Sequence, residues 1–318
     1  MKKIMLALTA ASLCALAPFP AFAGPFEDGL AAYNKKNYAA AYSLWNPLAE
    51  QGNKNAQFNL GVMFEKGLGV TKSNAQAVHW YRKAAEQGHA TAQYNLGTMY
   101  EKGLGGTKNN AQAVEWYRKS ADQEYAIAQF SLGNMYYDAH GIPQNYFEAF
   151  RWFLKAAEQG NKNAQYNLGI MYKNGRGVTK SANQAVDWYR KSAEQGLKDA
   201  QYNLGTMYEH GEGVTKDYAQ ALKWYRASAA QGYIYGQYAL GSMYYAGRGL
   251  TKDYAQAAQW YRKAADQGFA KAQLNLGVMY YKGQGVSKDK NTAIDWFKKA
   301  AVQGNKDAKT ALTQLGVQ

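Results

Sequence analysis

Apolar residues return at Ala56, Leu60, Met63 and Phe64, with polar residues between them, which is the stripe of an amphipathic helix over Asn55 to Lys66. Gly67-Leu68-Gly69 closes that helix. A second stripe follows at Ala77, Val78, Trp80, Tyr81, Ala84 and Ala85, opened by Ser73 as N-cap and ended at Gln87-Gly88. The pattern then starts again 36 residues later, and keeps doing so without insertion or deletion. Gly61, Gly97, Gly133, Gly169, Gly205, Gly241 and Gly277 mark the step. So do Trp80, Trp116, Trp152, Trp188, Trp224, Trp260 and Trp296, and Met63 through Met279. Neither helix can bury its stripe alone, so each hairpin must lean on the next.

The columns assign most residues a part in the repeated unit. Ser73, Asn109, Asn145, Ser181, Asp217, Asp253 and Asp289 form the capping column of the second helices. A glycine in mid-helix costs about 1 kcal/mol relative to alanine. Its retention in every unit implies a large side chain packed directly on the backbone there, and the tryptophan column is the candidate. Asn37 to Gly52, with Phe26 to Tyr33 before it, reads as a shorter-looped capping hairpin. Asp307 to Leu315 reads as a lone terminal helix, with Thr313 in place of the packing glycine. The expected division is a signal peptide at 1–23, a capping hairpin at 24–52, seven repeats over 53–304 and a capping helix at 305–318.

Runs such as Ala200-Gln201-Tyr202-Asn203-Leu204-Gly205-Thr206-Met207-Tyr208, Gly211-Glu212-Gly213-Val214 and Ala221-Leu222-Lys223-Trp224-Tyr225-Arg226 resemble the Sel-1-like repeat family, relatives of the tetratricopeptide repeats. The resemblance covers about Asn53 to Gly304. It implies an all-α, right-handed α-solenoid of stacked hairpins whose first helices line a concave face. It also implies binding work rather than catalysis: secreted bacterial members act in signalling, envelope assembly or host contact.

Charge and the chain start narrow the setting. Lys2 and Lys3, the apolar run Ile4 to Ala17 and Ala21-Phe22-Ala23 have the form of a secretion signal cut after Ala23, which places the mature chain in the periplasm or outside the cell. No later segment approaches the roughly 20 apolar residues of a membrane span. Cys14 is the single cysteine and would leave with the signal, so stability must come from packing. Loss of Lys2 and Lys3 takes the formal charge from +14 to +12. Such basicity favours an acidic protein or anionic envelope material, and an exported chain meets little nucleic acid. Against that, Lys72, Lys108, Lys180, Lys216, Lys252 and Lys288 fill one column and Arg82, Arg118, Arg190, Arg226 and Arg262 another, as solvated faces of a repeat would.

Chemistry is harder to find. His79, His89, His140 and His210 share no column and have no paired-ligand spacing, so neither metal nor cofactor is expected. The carboxylates Glu86, Asp122, Glu158, Glu194 and Asp266 recur in equal environments, whereas acid–base pairs need unequal ones. Ser287-Lys288-Asp289-Lys290 matches Ser-x-x-Lys without the companion motifs of penicillin-recognising enzymes. Cysteine-rich members of the resembled family are linked to β-lactam binding, an activity not carried to a cysteine-free mature chain. Subtraction leaves the rule-breaking residues of the third and sixth repeats. Tyr125, Tyr137, His140, Tyr233, Tyr235 and Tyr245 stand where other units carry mostly small or polar residues. Asn95, Asn167 and Asn203, in a first-helix column, could hydrogen-bond an extended peptide or a neighbouring helix. These residues are the candidate contacts of a non-catalytic scaffold or adaptor binding a protein partner. An inhibitor or immunity protein against an envelope toxin is the rival, and a cell-wall or β-lactam-acting enzyme a third reading.

Overall fold

The computed structural model describes residues 24–317, so the expected signal segment lies outside it. The described residues are helix and turn throughout, and they group into two compact units. The first contains residues 24–92 and 103–107, with helices α1 (Pro25–Asn34), α2 (Tyr38–Glu50), α3 (Lys54–Lys66) and α4 (Asn74–Glu86). Helix α5 (Ala90–Lys102) belongs mostly to the second unit, residues 93–102 and 108–317. There follow α6 (Asn110–Ala121), α7 (Ala126–Asp138), α8 (Tyr146–Glu158), α9 (Lys162–Asn174), α10 (Ala182–Glu194) and α11 (Lys198–His210). The chain continues with α12 (Tyr218–Ala230), α13 (Ile234–Ala246), α14 (Tyr254–Asp266), α15 (Ala270–Lys282), α16 (Lys290–Val302) and α17 (Lys306–Gln314). In each unit consecutive helices pack in tandem, which makes the fold an α-solenoid of hairpins.

The whole capping column works as its residue types require. Ser73, Asn109, Asn145, Ser181, Asp217, Asp253 and Asp289 each accept from a backbone N–H two or three residues on, at the start of a second helix.

The glycine column is a contact device, as its mid-helix position implies, but its partner is not tryptophan. A Cβ built on these glycines would sit 2.5–2.8 Å from the aromatic ring one residue beyond each tryptophan: Tyr81, Tyr117, Phe153, Tyr189, Tyr225, Tyr261 and Phe297. Trp45, in that same column, covers Gly29 in the capping hairpin. One residue along a helix is a turn of about 100°, so the neighbouring columns face different ways. The tryptophans instead join the previous hairpin: Trp224 packs with Ala185, Tyr189 and Leu204, and Trp296 with Tyr261 and Leu276.

A buried amide ladder also runs through the units. Gln57, Gln93, Gln129, Gln165, Gln201, Gln237 and Gln273 are nearly inaccessible. Each side-chain carbonyl accepts from a glutamine 30 residues later at 2.7–2.8 Å, Gln87 for Gln57 and Gln231 for Gln201. Five of these amides, those of Gln57, Gln129, Gln165, Gln201 and Gln273, also donate backward to the last turn of the preceding second helix, as Gln57 to Ala49 O and Gln201 to Ala193 O. Buried polar groups are thus satisfied on both sides.

The arginine column is not merely solvated. Arg118, Arg190, Arg226 and Arg262 donate to the hydroxyls of Tyr136, Tyr208, Tyr244 and Tyr280 in the next first helix. Leu154 breaks this series, and Tyr172 there meets the edge of Phe150 instead.

Two departures from the repeat carry backbone strain. Ala139 ends α7 at φ +59°, where Gly67, Gly175 and Gly211 end their helices near φ +70°. Glu124 sits at φ +62° in the column of Gly88 and Gly160. The left-handed region disfavours any Cβ. Glu124→Gly and Ala139→Gly are each expected to stabilise by about 0.5–1 kcal/mol, read as a raised urea midpoint. A lowered midpoint would refute the strain.

His89 is structural. Its Nδ1 accepts from the Ala92 N–H at 3.2 Å, and its ring stacks on Phe58 with centroids 4.5 Å apart. Burial, then the Lys54 charge, lowers its pKa below the ordinary imidazole range, against a backbone hydrogen bond that raises it. A folded pKa below the unfolded one gives stability that is present above about pH 6.5 and lost as pH falls through the folded value. His89→Asn, which copies the caps Asn53 and Asn161, is expected to shrink the loss of Tm between about pH 7 and pH 5. An unchanged pH profile in that variant would remove His89 from the explanation.

Candidate protein-binding surface

The first helices of successive repeats touch, and their N-terminal ends carry the most variable residues. Asn53, Asn161 and Asn305 cap their helices with side-chain carbonyls. At the corresponding positions Tyr125, Leu197, Tyr233 and Phe269 make no side-chain cap. At those four positions the capping bond has been given up for a bulky apolar or aromatic group.

Around α11, α13 and α15 these substitutions converge. The Tyr233 and Tyr235 rings lie 5.3 Å apart, edge to face. Both lie 5.8 Å from Tyr202. Tyr235 meets Phe269 at 5.4 Å, and Phe269 meets Tyr238 at 5.1 Å. Edge-to-face rings at 4.5–7 Å are favourable contacts, so the cluster is held in a defined arrangement. Gly236 contributes to it. A Cβ there would lie 2.6 Å from Ser228 Oγ, so glycine, where other repeats have alanine, allows α13 to start close against α12.

The cluster is amphipathic and partly open. Tyr235 remains 44% exposed although ringed by other aromatics. The Tyr233 hydroxyl bonds to Asp199, and burial together with that carboxylate holds the phenol protonated far above its ordinary range. The Lys198 ammonium stands 5.6 Å over the Tyr233 ring. Rigid aromatic surface, a carboxylate and an ammonium at one place are the ingredients of an interface anchor. Among the described residues no group of three His, Cys, Asp or Glu is placed to hold a metal ion. No helix there is long and apolar enough to cross a membrane.

The other candidates fall elsewhere. Tyr125 is in the Tyr233 column, three repeats earlier, and packs 5.6 Å from Tyr94. Tyr137 and Tyr245 lie at the far ends of α7 and α13, about 18 Å along the helix from Tyr125 and Tyr233. Tyr137 packs on Tyr146 and Phe153, and its hydroxyl accepts from Arg176. Tyr245 packs on Tyr254 and donates to Gln284. Both fill space between hairpins. His140 is exposed in the loop after α7.

The asparagines bond locally: Asn167 donates to Asn134 at 3.2 Å and Asn203 to the Tyr166 hydroxyl at 3.4 Å. Asn95, in the same column, is half-buried. Phe269 was not singled out by its own sequence context. Its signal is the column itself, in which Asn53 and Asn161 are exchanged for larger residues in later repeats.

The C-terminal ends of α7, α9, α11 and α13 show a second variable pattern. Residues 39 apart pair across adjacent repeats: Tyr137 with Arg176, Lys173 with Glu212 at 3.4 Å, Glu209 with Arg248 at 2.8 Å, and Tyr245 with Gln284. The sign of the pair reverses between neighbours.

Comparison with known proteins agrees with this architecture. The Sel1 repeat model matches seven consecutive segments, 54–89, 90–125, 126–161, 162–197, 198–233, 234–269 and 270–305. Among solved structures, a protective antigen present in uropathogenic Escherichia coli strains and displaying an SLR fold is 40% identical, with a TM-score of 0.83. The match covers 86% of this chain, which spans 58% of the length of that antigen. A Sel1 repeat protein from Oxalobacter formigenes is 37% identical with a TM-score of 0.73, over 92% of this chain and 86% of its own. No curated protein matches at a significant level.

Proposed function

Because the chain belongs to the Sel1 repeat family, whose repeats generally serve as protein-interaction scaffolds rather than catalysts, we propose that it is an exported, non-catalytic adaptor that binds a protein partner through its first-helix face. The observation that carries this reading is the cluster of Tyr202, Tyr233, Tyr235 and Phe269, where capping residues are replaced by aromatics and Tyr235 is left half open. Export is supported by the basic start, apolar run and Ala21-Phe22-Ala23. It is also supported by the similar E. coli protein being a protective antigen.

The test places a photocrosslinking residue at position 235 in intact cells and identifies the captured protein by mass spectrometry. Tyr233→Asn with Tyr235→Asn then restores the residue that other repeats carry at these positions, as at Asn53, Asn55, Asn161 and Asn163. The double variant is expected to keep its Tm and to lose at least about tenfold in affinity for the captured partner, as removal of an interface anchor does. Undiminished binding with an intact fold would reject the site.

A further inference from the structure

Among the second helices of the repeats, α14 departs from its column at a position that borders a groove. The position of Ala258 is held by Val78, Val114, Phe150, Val186, Leu222 and Ile294 in the other repeats. At α14 alone the side chain is a methyl group. Beside it lies a groove of about 420 Å³ with Ala255 and Val286 on its apolar side, the nearly buried Ala258 at its edge, and Arg262 and Lys263 on its polar side. Gln259 and Asp266 complete the polar side with an amide and one carboxylate.

The cations are held in place before any ligand arrives. Arg262 donates to the Tyr280 hydroxyl, and the Lys263 ammonium lies 3.9 Å over the Trp260 ring. The surrounding charge is also altered. An acid closes most second helices, as Glu50, Glu86, Asp122, Glu158, Glu194 and Asp266. It is missing at Ala230 on α12 and at Val302 on α16, the two helices that α14 joins through Trp260 and Trp296. Arg226, Lys298 and Lys299 therefore stand near those two helix ends without the usual acid.

We propose that this groove is a second binding site, which takes an acidic peptide segment carrying an aliphatic side chain. The charge arrangement selects carboxylates. The apolar floor selects a side chain, which a sulfated polysaccharide or a nucleic acid backbone does not offer and a flat bilayer cannot insert as a single group. The Gln259 amide can donate to and accept from a peptide backbone, and the Asp266 carboxylate can accept from a backbone N–H. The site is independent of the aromatic cluster, and together the two surfaces give the chain the means to bridge two proteins.

The experiment uses the chain from residue 24 and labelled eight-residue peptides in fluorescence anisotropy. One peptide is all glutamate, and the other has a leucine at its centre. The leucine peptide is expected to bind about tenfold more tightly, the consequence of burying most of one aliphatic side chain. Ala258→Leu, which copies Leu222, should fill the groove and erase that preference while leaving Tm unchanged or higher. Lys263→Glu should weaken both peptides. The proposal is overturned if Ala258→Leu retains the leucine preference, or if neither peptide binds at millimolar concentration. It is equally overturned if heparin or anionic vesicles bind as tightly as the leucine peptide and are indifferent to Ala258→Leu, which would mark a diffuse basic surface.

Discussion

Gly205→Val is expected to destabilise the chain by about 1–3 kcal/mol, the range for forcing extra carbon into a packed core. A Cβ at this position would lie 2.7 Å from both Cδ1 and Cε1 of Tyr225 and 3.3 Å from Ala221 O. Tyr225 cannot retreat easily, because it is 2% exposed and its hydroxyl is tied to Glu209 at 2.6 Å. The cost thus outweighs the roughly 1 kcal/mol of helix propensity that replacing a mid-helix glycine would recover. Thr206→Val provides the control. It removes the weaker Tyr225 contact at 3.3 Å, but the Glu209 bond remains, and Val62 and Val278 occupy the same column. Equal shifts in urea midpoint for the two variants would refute the close-contact explanation.

Gln201→Leu should cost about 1–2 kcal/mol although it makes the interior more apolar. The substitution removes one of the two donors on Ala193 O, the Gln201 amide at 3.1 Å, while the Gly196 N–H stays at 2.9 Å, and it takes the acceptor at 2.8 Å from the amide of the exposed Gln231. A lost intramolecular hydrogen bond costs about 0.5–1.5 kcal/mol, and the loss of two exceeds what the added apolar atoms return. Pairing the change with Gln231→Leu should recover part of the loss, because one of the orphaned groups is then gone. Strict additivity in that double-mutant cycle would mean that the two amides do not interact.

The two positions also show where sequence reading stops. The glycine column was legible because a costly residue recurred at one helical position, and this alone implies a neighbour pressed on the backbone. Which neighbour was not legible, since Trp224 and Tyr225 are both columnar aromatics and differ by one residue of helix rotation. The structure selects Tyr225. The amide ladder was overlooked for a different reason. Gln201 and Gln231 each belong to an unbroken column, but glutamine reads as surface until both ends of its bond are placed.

Rule-breaking tyrosines proved a mixed signal for the candidate site. Tyr233 and Tyr235 meet in space, whereas Tyr137 and Tyr245 break the pattern in order to pack between hairpins. What separates the two kinds is which end of the helix they occupy and which loop they meet. The partners that complete the cluster, Tyr202 and Phe269, come from the flanking repeats, so no reading of a single repeat contains it.

The pairs spaced 39 residues apart bear on how such a gene keeps its length. Near-identical tandem coding units invite slippage and unequal recombination, which remove or add one unit in frame. Loss of residues 198–233 would bring Arg248 to the place of Glu212, so that Lys173 would face a like charge in place of its present partner. Exposed pairs are worth about 1 kcal/mol or less, so a shortened product would still fold. It would do so with a mismatched junction wherever an edit falls among these pairs, and the order of the central units is thereby recorded in the chain as a graded penalty on such shuffled descendants.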